Sequence, residues 1–206
     1  MKIMTNFSGP FICLCVILLF LSGCSTGYRK IDGKWSYVTW DEGNGYKTYP
    51  LGADEATFEV LENGKYAKDK NKVYYQRYPM AGADPATFVL LEGKQYAKDK
   101  DHVYLLEYQV INADPNSFTE IALPYARDKK NIYCGTVPLD VKNIEEFEVI
   151  KSASMLVTTD KDVFIKEGEN KEYSFLKDIP VDTVVTSWGG KAKTKTEYFE
   201  GCNKKK

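Results

Sequence analysis

Histidine is almost absent from this 206-residue chain, where His102 stands alone. Any Ser/His/Asp or Cys/His arrangement would have to use it, and no G-x-S-x-G accompanies it. In related stretches its position holds Lys72 or Asn131, so it reads as an exposed turn residue. Zinc motifs are missing too, with no C-x-x-C and no H-E-x-x-H. Asp69/Asn71, Asp99/Asp101 and Asp160/Asp162 have the D-x-[DN] spacing that opens calcium loops. The glycine such a loop needs at its sixth position is replaced by Tyr74 and Tyr104. Lys70, Lys100 and Lys161 place positive charge beside the would-be ligands. An excess of either charge is also lacking. Lys and Arg number 28 against 29 Asp and Glu, a net of −1, which gives no electrostatic case for nucleic acid or anionic lipid. Those 29 acids offer many carboxylate pairs for glycoside hydrolysis, and none stands out. No catalytic residue, metal ligand or cofactor is assigned, and nucleic acid is not expected as a partner.

Long apolar runs are limited to one, "FICLCVILLFLSGC", from Phe11 to Cys24. It falls short of the about 20 residues a membrane-spanning helix needs and has the length of a signal-peptide apolar region. Its end, Leu21-Ser22-Gly23-Cys24, resembles a bacterial lipobox. That resemblance implies a signal peptide over 1–23, cleavage before Cys24, a lipid on its sulfur and a further acyl chain such as palmitate on the new N-terminus. Several acyl chains hold a protein on a membrane stably. The membrane is then one partner, with residues 24–34 as lipidated end and tether. Ser25 follows the cysteine, where aspartate marks inner-membrane retention in Gram-negative lipoproteins. It leans the expectation towards the outer membrane, facing the periplasm.

Cysteine is scarce in what remains. Beyond Cys24 only Cys134 and Cys202 are left, in a compartment that permits a bridge. Whether they meet stays open. In a straight stack with rungs about 4.8 Å apart, two or more rungs exceed the about 7 Å limit for bridged Cα atoms. A bent or closing sheet brings them together.

What the chain has in quantity is repetition. "GADEATFEVLENGKYAKDKNKVYYQRYPM" begins at Gly52, "GADPATFVLLEGKQYAKDKDHVYLLEYQV" at Gly82 and "NADPNSFTEIALPYARDKKNIYCGTVPL" at Asn112. Asp54, Asp84 and Asp114 are 30 apart, as are Phe58, Phe88 and Phe118. A worn fourth copy reads "VKNIEEFEVIKSASMLVTTDKDVFIKEG", with Phe147 near register and "DKDVF" at Asp160–Phe164. Partial copies flank these: the stretch from Tyr37 leading into Asp54, and "GGKAKTKTEYFEG" from Gly189, where Thr194 replaces the turn aspartate. Atypical ends suit the capping of a stacked array. One repeat domain is expected over 35–201, with a tail over 202–206.

Each copy divides into three pieces. Asp84-Pro85 and Asp114-Pro115 pair an N-cap residue with the residue that suits a first helical position, so a tight or helical turn is expected. A short strand follows at each phenylalanine. Then come two aromatic and β-branched strands around a polar tip, a pattern of hairpins. The tip residues are Asp69, Asn71, Asp99, Asp101, Asp128 and Asn131, in a sequence suited to tight turns. Three short antiparallel strands per copy are expected, in a mainly β fold. Val73, Val103, Ile132 and Val163 alternate with Tyr74, Tyr104, Tyr133 and Phe164, so both faces of that strand are expected to be covered. Lys68, Lys70, Lys98 and Lys100 read as solvated hairpin charges. Trp188, in "TSWGG", breaks the repeat; it reads as a core residue of the terminal cap, or as an exposed ring that contacts a ligand.

"DKNKVYY" (Asp69–Tyr75), "DKDHVYL" (Asp99–Leu105) and "RDKKNIYC" (Arg127–Cys134), each preceded by an "ADPxxF"-like phrase, resemble the DKNYY family of bacterial exported and lipoprotein-like sequences. The resemblance covers most of the mature chain and brings no catalytic residues. The expected function is that of an envelope lipoprotein whose repetitive surface binds a protein or glycan partner. The alternatives are a cell-wall or glycan-directed enzyme and an immunity-like inhibitor of an envelope toxin.

Overall fold

The structure, a computed structural model, describes residues 26–167 and 171–205. It is mainly β. Each of the first three full copies forms a four-stranded antiparallel meander in chain order: 59–60, 66–68, 73–75 and 78–79; 89–90, 96–98, 103–105 and 108–109; 119–122, 125–127, 132–134 and 137–139. That is one strand more than the sequence announces. The extra strand follows a turn at Gln76, Leu106 and Gly135, with φ of 54°, 57° and 63°. Gln and Leu rarely take such angles, so the turn leaves no glycine signal in two of its three occurrences.

The turn after Asp54, Asp84 and Asp114 forms as expected. The Asp84 carboxylate accepts the Ala86 N–H and the Thr87 hydroxyl, both at 3.0 Å. Val73, Tyr74 and Tyr75 are all buried, as are Val103, Tyr104 and Leu105.

No copy buries its own core. Phe88 of the second copy sits between Tyr66 of the first and Tyr104 of its own, with ring centres 5.6 Å from each. Phe118 lies likewise between Tyr96 and Tyr133, at 5.2 and 5.4 Å. Phe147 lies between Tyr125 and Phe199, at 5.4 and 5.6 Å. Such aromatic pairs are worth about 0.5–1.5 kcal/mol beyond their buried area. The tyrosine hydroxyls then reach into the following copy. Tyr66 donates to the Leu106 carbonyl at 2.7 Å, Tyr96 to Gly135 at 3.0 Å and Tyr125 to Gly201 at 2.9 Å. Lys68 and Lys98 are not solvated hairpin charges. Their ammonium groups donate to the Phe88 and Pro115 carbonyls of the following copy at 3.0 and 2.7 Å.

At the N-terminus, strands 27–31, 34–41 and 45–50 form a three-stranded cap. Tyr28 plays the inter-copy tyrosine there, with its hydroxyl 3.0 Å from the Lys65 carbonyl and its ring 5.7 Å from Phe58. The tether expected over 24–34 is therefore shorter, because Gly27–Ile31 is a strand of the fold.

The fourth copy is split. Its sheet joins strands 148–151, 191–193, 198–200 and 203–205, with residues 152–190 inserted after the first. "GGKAKTKTEYFEG" thus completes the fourth copy, and the tail expected from 202 contributes its last strand. "DKDVF" is not a hairpin tip. It opens the helix Lys161–Glu167 inside the insertion, between the paired strands 157–160 and 183–186. Val163 and Phe164 therefore do not continue the buried rows; Phe164 packs on Tyr173 at 5.1 Å.

Candidate functional site

The tip aspartates are buried, not displayed. Asp69, Asp99 and Asp128 are 4%, 4% and 2% exposed. One oxygen of Asp99 accepts the Asp101 and His102 N–H groups at 2.8 and 2.7 Å. Its other oxygen accepts the Asp84 N–H at 3.0 Å and the Tyr104 hydroxyl at 2.8 Å. Asp69 makes the same four bonds with Asn71, Lys72, Asp54 and Tyr74. Asp128 makes them with Lys130, Asn131, Asp114 and Tyr133. Each carboxylate ties the tip, the "ADP" turn and the tyrosine strand of one copy into one knot. Burial acts to raise the Asp99 carboxyl, and its N–H and hydroxyl donors outweigh it, holding the group below the usual carboxylate range. Asp69 and Asp128 are lowered in the same balance.

The other tip residues, Asn71, Asp101 and Asn131, join the knot through their backbone N–H groups. Asn71 and Asp101 are exposed, and Lys100 pairs with Asp101. Asn131 donates to the Tyr133 hydroxyl at 3.1 Å. His102 is half-buried, with Nδ1 3.8 Å from the Asp99 carboxylate. It lines a 320 Å³ cavity shared with Ile179 and Pro180 of the insertion, so it is not a free turn residue. No group of three or more His, Cys, Asp or Glu side chains is placed to hold a metal among the described residues.

The fourth copy changes donor and acceptor together. Thr194 stands for the aspartate and Phe199 for the tyrosine. The Thr194 hydroxyl accepts the Thr196 and Glu197 N–H groups at 3.3 and 3.1 Å. The buried Glu197 carboxylate takes over the longer reach and accepts the Lys142 N–H at 3.0 Å.

The insertion breaks the repeat. Its strand 183–186 docks on the third copy, where the Thr136 N–H donates to the Val185 carbonyl and the Val185 N–H to the Thr136 hydroxyl, both at 2.8 Å. Cys134 and Cys202 form a disulfide with Cα atoms 5.3 Å apart. They are distant in sequence, yet the split places them on adjacent copies, so the bridge needs no bending of the array. Cys202 also donates its N–H to the Ser187 carbonyl at 3.0 Å. Trp188 follows at the surface, 68% exposed, and so is not a core residue of the cap. The Ser187 hydroxyl donates to the Met155 carbonyl at 2.7 Å, and Met155 is 63% exposed.

Beside this surface runs a groove of 590 Å³ between the second and third copies, lined by Leu91, Phe118, Ile121, Leu123, Glu92 and Glu120 among others. The insertion touches its rim, where Ala153 donates its N–H to the Leu123 carbonyl at 2.8 Å. Burial raises the Glu120 carboxyl above its ordinary value, against the Tyr96 and Gln95 N–H groups that favour its charge. Its role follows from the first copy. There Asn63 accepts the Lys65 and Tyr66 N–H groups at 3.0 and 3.2 Å. The second copy has Gly93 instead, and Glu120 of the third reaches across to the Tyr96 N–H at 3.1 Å. A Cβ at Gly93 would lie 2.0 Å from that carboxylate. The Glu120 carboxyl in the groove is thus a turn cap.

Stacked four-stranded hairpin units, cores shared between neighbours and polar motif residues turned inward define a β-repeat protein. The DKNYY family pattern matches residues 17–108 and 103–206, and the chain belongs to the DKNYY family. No curated protein and no solved structure matches it. The fold fits a non-catalytic repeat protein. The expected lipobox, Leu21, Ser22, Gly23 and Cys24, and the signal peptide over 1–23 lie outside the described residues.

Proposed function

We propose that the chain is an exported, lipid-anchored protein of the bacterial cell envelope whose array holds the inserted segment out to a protein or glycan partner. Lipidation at Cys24, after cleavage of residues 1–23, anchors it; Ser25 favours the outer membrane, facing the periplasm. One observation carries the binding reading. The motif aspartates and tyrosines are turned into the fold, whereas Met155 and Trp188, more than 60% exposed, are linked where the repeat is broken through Ser187, whose hydroxyl bonds the Met155 carbonyl. Exposed apolar side chains rimmed by polar residues mark interaction surfaces.

Mild crosslinking of the lipidated protein in cells, and pull-down with isolated cell-wall polysaccharide, test this reading. One bound species should be recovered with the wild type and lost with Trp188→Ser/Met155→Ser. Equal recovery with both proteins contradicts it. Mass spectrometry of the N-terminal peptide tests the anchor, and an unmodified Cys24 rules it out.

A further inference from the structure

We infer that the hairpin tip carrying Trp40 and Tyr46 rests in the headgroup layer of the membrane to which Cys24 is anchored. The inference rests on the lipid-anchor reading above. Trp40 and Tyr46 face each other across strands 34–41 and 45–50, with ring centres 4.7 Å apart. They are 55% and 45% exposed.

Position supplies the partner. Strand 27–31 runs antiparallel to strand 34–41, with Gly27 opposite Val38 and Ile31 opposite Lys34. The chain therefore enters the fold from the tip side. Trp40 lies two residues beyond Val38, which is about 7 Å at a strand rise of about 3.4 Å per residue. Gly27 lies three residues along the chain from Cys24, and at full extension those three steps span about 10 Å. A lipid on Cys24 therefore holds Gly27 within about 10 Å of the acyl chains, and the tip projects beyond Gly27 on that side. The strands of this hairpin are also longer than the three-residue pairs of the later copies.

The chemistry fits that depth. Trp and Tyr favour the membrane–water interface, where an apolar ring and a polar edge are both satisfied. Asp41 and Glu42 close the hairpin and keep it from going deeper. The Asp41 carboxylate is turned onto the Gly43 and Asn44 N–H groups at 3.0 and 2.9 Å. Trp188 supplies a contrast, being more open to solvent at 68% but carried on the insertion in the fourth copy.

The test uses full-length lipidated protein in phosphatidylethanolamine-rich vesicles containing brominated lipid, with Cys24 acylation read by mass spectrometry in the same preparation. Trp35→Phe/Trp188→Phe leaves Trp40 as the sole tryptophan, and Trp35→Phe/Trp40→Phe leaves Trp188. Trp40 emission should shift to the blue and be quenched by the brominated lipid, while Trp188 emission stays unquenched. Glu42→Cys, labelled with a polarity-sensitive dye, keeps all three tryptophans and should report the same blue shift. An acylated protein whose Trp40 and position-42 dye both emit as in water overturns the inference and leaves the anchor standing. An unacylated Cys24 removes both.

Discussion

The Tyr104 hydroxyl donates to the Asp99 carboxylate at 2.8 Å, with both side chains almost wholly buried. The relationship recurs as Tyr74 with Asp69 and Tyr133 with Asp128, at 3.1 and 2.7 Å. The fourth copy drops both members, as Thr194 and Phe199. The two positions should therefore be energetically coupled. Tyr104→Phe removes a donor from a charged acceptor, and Asp99→Thr strands a buried hydroxyl. The double variant Asp99→Thr/Tyr104→Phe should be less destabilised than the sum of the singles, by about 1 kcal/mol. A double-mutant cycle by urea unfolding measures this, and strict additivity would mean that the bond carries no pairwise energy.

Docking of the insertion depends on a close approach at Gly135. A Cβ there would lie 2.0 Å from the Val185 carbonyl oxygen, and its φ is 63°. Gly64 has a similar φ of 68° with open space around it. Gly64→Ala should cost about 1 kcal/mol, from backbone strain alone. Gly135→Ala adds a backbone clash and should cost about 3 kcal/mol or more. Thermal unfolding ranks the two variants, and equal losses would contradict the docking geometry.

The disulfide closes a chain separation of 68 residues that contains the whole insertion. Chain-entropy arguments give a loop of that length about 4 kcal/mol of stabilisation. Cys134→Ser/Cys202→Ser should lose stability of that order, and amide exchange in 157–186 should accelerate more than in the first copy. Exchange that rises uniformly would contradict a bridge that clamps the insertion.

Much of the architecture can be read in the chain because the 30-residue period is strict at Asp54, Asp84 and Asp114. The split fourth copy cannot. Asp160 accepts the Asp162 and Val163 N–H groups at 2.8 and 3.1 Å, the same i+2 and i+3 pattern that Asp69 uses. A hairpin tip and a helix start share this local chemistry, and only the partners that follow decide between them. In the tips, the Asp carboxylate makes two further bonds, to the "ADP" turn and the tyrosine, that lie across the copy. The burial of Asp69 therefore leaves no local signal, since the tip by itself is a polar turn. Glu120 was hidden for the same reason, since its clue was the missing side chain at Gly93 in another copy.

The exposed pair on the insertion should be dispensable for folding. Trp188→Ser and Met155→Ser should each change stability by no more than about 0.5 kcal/mol. Differential scanning calorimetry checks this. A loss of several kcal/mol would return Trp188 to the role of a cap residue.

The repeated motif is a folding device built on a buried, charged aspartate. Its folded-state ionisation lies below that of the unfolded chain, where an aspartate titrates at about 3.9. Such a group contributes stability fully above that pH and loses it as pH falls through the depressed folded value. The most direct measurement is equilibrium unfolding of the wild type and Asp99→Asn at pH 7 and pH 3. The wild type should be more stable by about 2 kcal/mol at pH 7, from charged hydrogen bonds that asparagine does not replace. The gap should narrow towards pH 3 and below. Equal stability of the two proteins at pH 7, or a gap independent of pH, would contradict a folding role for the charged aspartate.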